Sequence, residues 1–235
     1  NVGKERNLFL KVRKEVYSMV LSDFSYDTDY CYRWLIYLFG EEVRQRFRNY
    51  KVHKQQQEAI HKVADWMATS KSRFGLVLNG ITGNGKTTLV KAMQSFFNVC
   101  KFKNPLNDEE AVFYTHASVT FLTSKELYHL YASNKKRFDR CMNTFILAVD
   151  DLGTEESEYC QYGNRYKPLE ELLSYRYERM LPTIVTTNLS GKAIREKYGD
   201  RLADRFNETM QVVTMPDINF RNVQKEKTSA IGQDE

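Results

Sequence analysis

Paired cysteines are missing from this sequence: Cys31, Cys100, Cys141 and Cys160 lie far apart and form no CxxC. That spacing offers neither a zinc-ribbon ligand set nor a dithiol redox motif, and the four read as free thiols of a reducing compartment. Long apolar runs are missing too, none approaching the ~20 residues that span a bilayer, and no charged-then-apolar leader opens the chain. The expectation is a cytoplasmic protein with no membrane partner. Internal repeats and low-complexity tracts are absent. Strong charge of one sign is absent as well: 35 Lys+Arg against 30 Asp+Glu leaves +5, which permits a polyanion partner without requiring one. What is abundant is apolar surface, 42% hydrophobic with 13% aromatic, and that excludes a mainly disordered chain.

Apolar positions at Val12, Val16, Met19, Val20 and Phe24 predict a helix within residues 8–24. A second apolar block, "CYRWLIYLFG", ends at Gly40, where the glycine reads as a helix stop. After a polar, basic link the spacing of Ala59, Ile60, Val63, Ala64 and Met67 resumes a helix. A boundary near residues 48–54 divides a helical N-terminal region, 1–50, from a larger domain, 51–235. Beyond it, "FGLVLNG" (74–80), "VTFL" (119–122), "TFILAVD" (144–150) and "PTIVTTN" (182–188) read as short strands alternating with helices. That alternation predicts an α/β fold with a largely parallel sheet covered on both faces. Thr123 and Glu126 form a capping box ahead of "SKELYHLY".

"GITGNGKTT" has the register G-x-x-x-x-G-K-[ST], directly after the strand "LVLN" and before a helical pattern. Glycines let such a loop turn its backbone N–H groups onto phosphate oxygens, and the following helix adds the positive end of its dipole. The phosphate-binding set is Gly80, Gly83, Asn84, Gly85, Lys86, Thr87 and Thr88. Lys86 is expected to reach the β- and γ-phosphates, and the Thr87 hydroxyl to help hold Mg²⁺.

"FILAVDDLG" ends an apolar strand in two carboxylates. Asp150 is assigned to the metal and Asp151 to the water that attacks the γ-phosphate; the competing reading is turn chemistry completed by Leu152-Gly153. "PTIVTTNLS" ends in Asn188, a turn residue unless its strand lies between the other two, in which case Asn188 reaches the γ-phosphate or the attacking water.

Together "GITGNGKTT", "VDDLGTE", "TIVTTNLS", "YGDRLADRFNE" and "INFR" resemble, in type and order, the AAA+ ATPases of the DnaC/DnaI helicase-loader and IstB transposition-helper group. The resemblance covers roughly residues 55–223; the first 50 residues match no region of that group and are a candidate partner-binding segment. It implies a P-loop AAA+ αβα sandwich with a five-stranded parallel sheet, ATP and Mg²⁺ as ligands, and assembly into a homo-oligomeric ring or spiral. By position Asn188 is similar to sensor 1, Arg205 to an arginine finger acting in trans, and Arg221 to the sensor 2 arginine. Arg201, one helical turn before Arg205, is the weaker finger candidate, and both arginines also suit a solvated helix face. The implied partners are a replicative helicase or a transposase, with DNA, single-stranded by expectation. The short polar end "QKEKTSAIGQDE" is expected to form no separate helical lid. A P-loop phosphotransferase and a slow-hydrolysing ATP-dependent adaptor are the readings outside this mechanism.

Two further segments are open. Lys135, Lys136, Arg137 and Arg140 lie near Tyr128 and Tyr131 in "SNKKRFDR" and its helix; cations at a helix C-terminus follow from the dipole alone, and the same strip suits single-stranded DNA. The tyrosine-rich "TEESEYCQYGNRYK" after the aspartates is either an exposed connection or a reporter of nucleotide state.

Overall fold

A computed structural model describes residues 27–46, 48, 50–51, 53–69, 73–101 and 116–220; the helix expected within residues 8–24, and Arg221, lie outside them. Five parallel strands form the central sheet: β1 (Gly75–Asn79), β2 (Val119–Thr123), β3 (Ile146–Leu152), β6 (Thr183–Thr187) and β7 (Met210–Thr214), in the order β2-β3-β6-β1-β7. Four coincide closely with the strands expected from sequence. The fifth, β7, has a half-exposed pattern that gave no such signal.

Successive side chains of a strand point to opposite faces, and the two faces feed two clusters. Leu76, Leu78, Ile146, Ala148 and Ile184 pack on one side with helices α1 (Thr28–Arg44), α2 (Lys54–Ala68) and α3 (Lys86–Cys100). Val77, Leu147, Val149 and Val185 pack on the other with α4 (Ser124–Ser133), α5 (Lys135–Asn143), α6 (Pro168–Glu178), α7 (Gly191–Tyr198) and α8 (Asp200–Thr209). Residues apolar on both faces make continuous apolar runs, which is why "ILAV" and "TIV" read as buried parallel strands. The result is a three-layer αβα fold.

Gly40 does not stop its helix: α1 runs on to Arg44. The glycine is buried within it, and a Cβ there would lie 3.2 Å from both Arg44 and Tyr50, so its job is close approach. α1 contributes Cys31, Leu35 and Phe39 to the same cluster as α2, α3 and the sheet, so this helix shares the sheet's core.

The basic strip is also rearranged. Asn134 ends α4 and caps α5, accepting from the Arg137 N–H at 3.0 Å, so Lys135, Lys136 and Arg137 open a helix where the dipole disfavours cations. Lys135 is held by other contacts, 4.0 Å from the Tyr131 ring and 3.5 Å from Glu171. The polar segment after the aspartates forms an antiparallel hairpin, β4 (Tyr159–Gln161) and β5 (Asn164–Tyr166). Tyr131 packs against its Tyr159 and Tyr166, while Tyr162 at the turn is 95% exposed.

Candidate functional site

The carboxyl ends of β1, β6 and β3 open onto one edge of the sheet, with β6 between the other two. The condition set for Asn188 is therefore met: its strand separates the one that feeds the glycine loop from the one that ends in the aspartates. Such edges of parallel sheets are where ligands bind in α/β folds.

The loop takes its shape from Gly80, Gly83 and Gly85, with φ of 149°, 84° and 97°, values that L side chains rarely adopt. Gly83 is doubly constrained, since a Cβ there would come within 2.2 Å of the Asn219 side chain. Gly85 is the N-cap of α3, so the free N–H groups of that helix face the loop. The loop is also tied to the chain's later residues. Phe220 N–H donates to the Gly83 carbonyl at 3.1 Å, and the Asn84 amide to the Pro216 carbonyl at 3.2 Å.

Lys86 is buried, and its Nζ donates to the carbonyls of Gly80 (2.6 Å) and Ile81 (2.7 Å), to Asn188 Oδ1 (2.7 Å) and to Asn84 Oδ1 (3.2 Å). These are neutral acceptors, and an anionic oxygen entering the loop would make the stronger charge-assisted bond. Asn188 is oriented from its other side by Thr82, whose hydroxyl accepts from Nδ2 at 3.1 Å.

Across the loop the Thr87 hydroxyl lies 3.0 Å from both oxygens of Asp150, which is 4% exposed. Thr186 of β6 donates to the same carboxylate. Burial pushes the Asp150 carboxyl up and the neighbouring Asp151 adds to it, against hydrogen bonds from Thr186 and Thr87 and the charge of Lys86. A hydroxyl and a buried carboxylate are hard oxygen donors too few to enclose a cation, the kind of partial shell that suits Mg²⁺ with phosphate oxygens and water completing it. Among the described residues no group of three or more His, Cys, Asp or Glu could hold a metal without such help.

Asp151 is separated from Asp150 by a break in the strand. From Val149 to Leu152 β3 advances three residues while β6 advances only from Val185 to Thr187, so one extra residue bulges out. Asp151 takes φ 53° and is exposed. Its backbone is held on both sides: the N–H donates to Thr186 Oγ1 at 2.9 Å, and the carbonyl accepts from Ser124 Oγ and Thr154 Oγ1, each at 2.9 Å. Non-glycine residues in this region persist only where the surroundings over-determine them, and they cluster at functional sites.

Gly80, Gly83, Asn84, Gly85, Lys86, Thr87, Asp150 and Asn188 thus meet in one place, with Asp151 beside them. Thr88 turns elsewhere: its hydroxyl accepts from Arg46 at 2.8 Å. Arg205 does not join this group. Its guanidinium lies 4.6 Å from the Tyr177 ring and 3.1 Å from Glu178, only 12% exposed, with Nη1 buried and unpartnered. Arg201 on the same helix is 77% exposed. Thr186, Thr82 and Ser124 had not been singled out. Thr186 sits one strand over from Asp150, a relation visible only once strand order is known.

No protein-family model and no curated protein matches the sequence. Solved structures do resemble this one. DnaI matches 75% of this chain and 93% of its own at 19% identity and a TM-score of 0.50. The DnaC helicase loader matches 72% and 94% at 20% identity and 0.49, and AMPPCP-bound DnaA from Aquifex aeolicus 79% and 55% at 15% identity and 0.48. At such identities the likeness is one of fold alone, helices on both faces of a parallel sheet.

Proposed function

We propose that this chain is an AAA+ ATPase that binds ATP with Mg²⁺ at the glycine loop, hydrolyses it in an oligomer, and serves DNA replication by loading a helicase. The observation that carries the nucleotide site is that the residues opening the helix after the glycine loop reach the ends of two adjacent strands, Lys86 bonding Asn188 and Thr87 bonding Asp150. Loop N–H groups and Lys86 would bind the phosphates, and Thr87 with Asp150 would hold Mg²⁺, which supplies charge neutralisation of the phosphoryl oxygens. Asp151, exposed beside the buried Asp150, would accept the proton of the attacking water. Asn188, fixed by Lys86 and Thr82, would orient that water or the γ-phosphate.

An arginine from a neighbouring subunit would complete the charge balance, with effects of about 10³–10⁵ in rate in comparable systems. Arg205 is the leading candidate by its place in the motif set; its guanidinium, stacked on Tyr177 and paired with Glu178, would swing out to reach a neighbour's nucleotide. Arg201 is already extended to solvent. Arg221 would contact the nucleotide from the loop side; the residue before it, Phe220, is anchored on Gly83. The five-motif set supports the helicase-loading role, with single-stranded DNA as the track. A transposition-helper role uses the same motifs and differs only in client.

The test is ATPase rate per subunit against protein concentration, with and without single-stranded DNA. Wild type, Arg205→Ala, Arg201→Ala, Lys86→Ala and a Lys86→Ala/Arg205→Ala mixture are compared. A composite site gives a rate that rises with concentration, disappears in the Lys86 variant and in one arginine variant, and partly returns in the mixture. Concentration-independent turnover indifferent to both arginines would sink the trans assembly and favour a phosphotransferase.

A further inference from the structure

Beside the Asp151 loop lies a second buried polar cluster, centred on a residue not assigned above. Glu155 is 5% exposed and its carboxylate accepts from two directions: Gly153 N–H donates to Oε2 at 2.9 Å, and the Tyr198 hydroxyl donates to Oε1. Lys197 Nζ lies 3.4 Å from Oε1 and donates to the carbonyls of Gly153 (2.8 Å) and Glu155 (2.7 Å). Tyr198 is 5% exposed. Burial pushes the Glu155 carboxyl up, but hydrogen bonds from Tyr198, Ser124 and backbone N–H groups outweigh it and hold the carboxyl below its usual range. Burial and the carboxylate push the Tyr198 hydroxyl up, so it stays the donor.

A buried carboxylate paired with a mostly buried lysine is rarely the most stabilising choice, because desolvation of the charges consumes most of their attraction. Its use is to specify one arrangement, and here the arrangement is particular. Lys197 and Tyr198 form the last turn of α7, the helix that follows Asn188, and Gly199 then leads into α8 with Arg201 and Arg205. Glu155 and Gly153 belong to the loop that leaves Asp151. That loop is pressed onto the Asn188 end of β6 as well, since a Cβ on Gly153 would come within 2.5 Å of the Leu189 side chain.

We propose that Glu155, clamped by Lys197 and Tyr198, is a positioning residue that holds Asp151 in its left-handed conformation and links it to the α7–α8 junction. The chain of contacts is short: Glu155 fixes Gly153 N–H, and Thr154 between them bonds the Asp151 carbonyl through both its N–H (3.2 Å) and its hydroxyl. A displacement of α8, the helix bearing the two arginines, or of α7, which leads directly into it, would pull on the Asp151 loop through Lys197. Engagement of the arginine helix by a neighbouring subunit is thereby coupled to the geometry of the attacking-water site. The inference rests on the ATPase reading.

The experiment compares wild type with Glu155→Gln and Lys197→Met by ATPase kinetics, binding of a non-hydrolysable ATP analogue, and amide hydrogen exchange. Misplacement of a catalytic group by about 1 Å costs on the order of 10²-fold. Both variants are therefore expected to lose about 10- to 100-fold in kcat, with KM and analogue affinity within about threefold of wild type. Exchange at Gly153 and Thr154 should accelerate while that of β1 and β6 stays unchanged. Unchanged kcat in both variants overturns the proposal, as does acceleration spread over the whole sheet with parallel loss of analogue binding, the mark of a merely structural role. A wild type that binds the analogue but never turns ATP over removes the ATPase reading and the catalytic half of this one. In that case local exchange at 153–154 still decides whether the clamp exists.

Discussion

Arg176 on α6 is completely buried. Its N–H donors are spread over the carbonyls of Met142, Thr144, Phe145 and Pro182 and the Thr183 hydroxyl, at 2.7–3.1 Å. The guanidinium thereby satisfies the turn that leads into β3 and the turn that leads into β6, the two strands ending in Asp150 and Asn188. A planar fork with fixed donors suits this in a way that a lysine does not. Arg176→Met keeps the volume but removes the guanidinium donors, leaving Pro182 its bond from the Leu147 N–H, at about 1–3 kcal/mol for each carbonyl left unsatisfied that water cannot reach. The expected loss is about 3 kcal/mol or more, read from the urea midpoint at unchanged slope. A change below about 0.5 kcal/mol would mean that water replaces the guanidinium.

At the scale of elements, helix runs were more legible than helix ends, of which the clearest was a capping box. The capping box before α4 is present as expected: Thr123 Oγ1 accepts from the Glu126 N–H at 3.1 Å and Glu126 accepts from the Thr123 N–H at 2.7 Å. Bonds from the Thr123 N–H and from its hydroxyl hold the Glu126 carboxyl below its usual range. Thr123→Ala should cost about 1 kcal/mol, measured by thermal or urea unfolding, and Glu126→Gln should cost less because an amide oxygen still accepts. Equal stability of the alanine variant would show that water caps the helix as well. The same local chemistry explains the misread basic strip. Asn134 is a good N-cap, and a cap signal inside an apparently continuous helix marks a break, so "SNKKRFDR" opens a helix instead of ending one. Gly40 was misread for the opposite reason: a glycine inside a helix and one after it look alike in sequence, and only the neighbouring Arg44 and Tyr50 tell them apart.

For the whole molecule, the packing of α1 has the widest consequence. Leu35 is 0% exposed and lies in the cluster that includes Leu89, Val90 and Met93 of α3, the helix that begins at Lys86. Arg46 bonds Thr88 on that same helix. Leu35→Ala should therefore cost about 2–5 kcal/mol and lower the midpoint of a single cooperative transition followed by tryptophan fluorescence. Two separate transitions would indicate that α1 unfolds apart from the sheet. A partner that pulled on the N-terminal region would act, through Arg46 and the α1–α3 contact, on the helix that starts the phosphate loop.

What the sequence determined by itself is what local chemistry encodes. Glycine spacing ahead of Lys86 and Thr87 announces the loop, continuous apolar runs announce strands buried on both faces, and a carboxylate pair at a strand end announces Asp150 and Asp151. Tertiary structure alone decided how these meet. That β6 runs between β1 and β3 is a matter of non-local hydrogen bonding, and it brings Asn188 to Lys86 and Thr186 to Asp150. The bulge that buries Asp150 and exposes Asp151 exists only relative to the register of β6. Glu155 and Tyr198, 43 residues apart, carry no pairwise signal in one sequence. Their contact depends on where α7 lands on the sheet, and that is set by the summed packing of two faces.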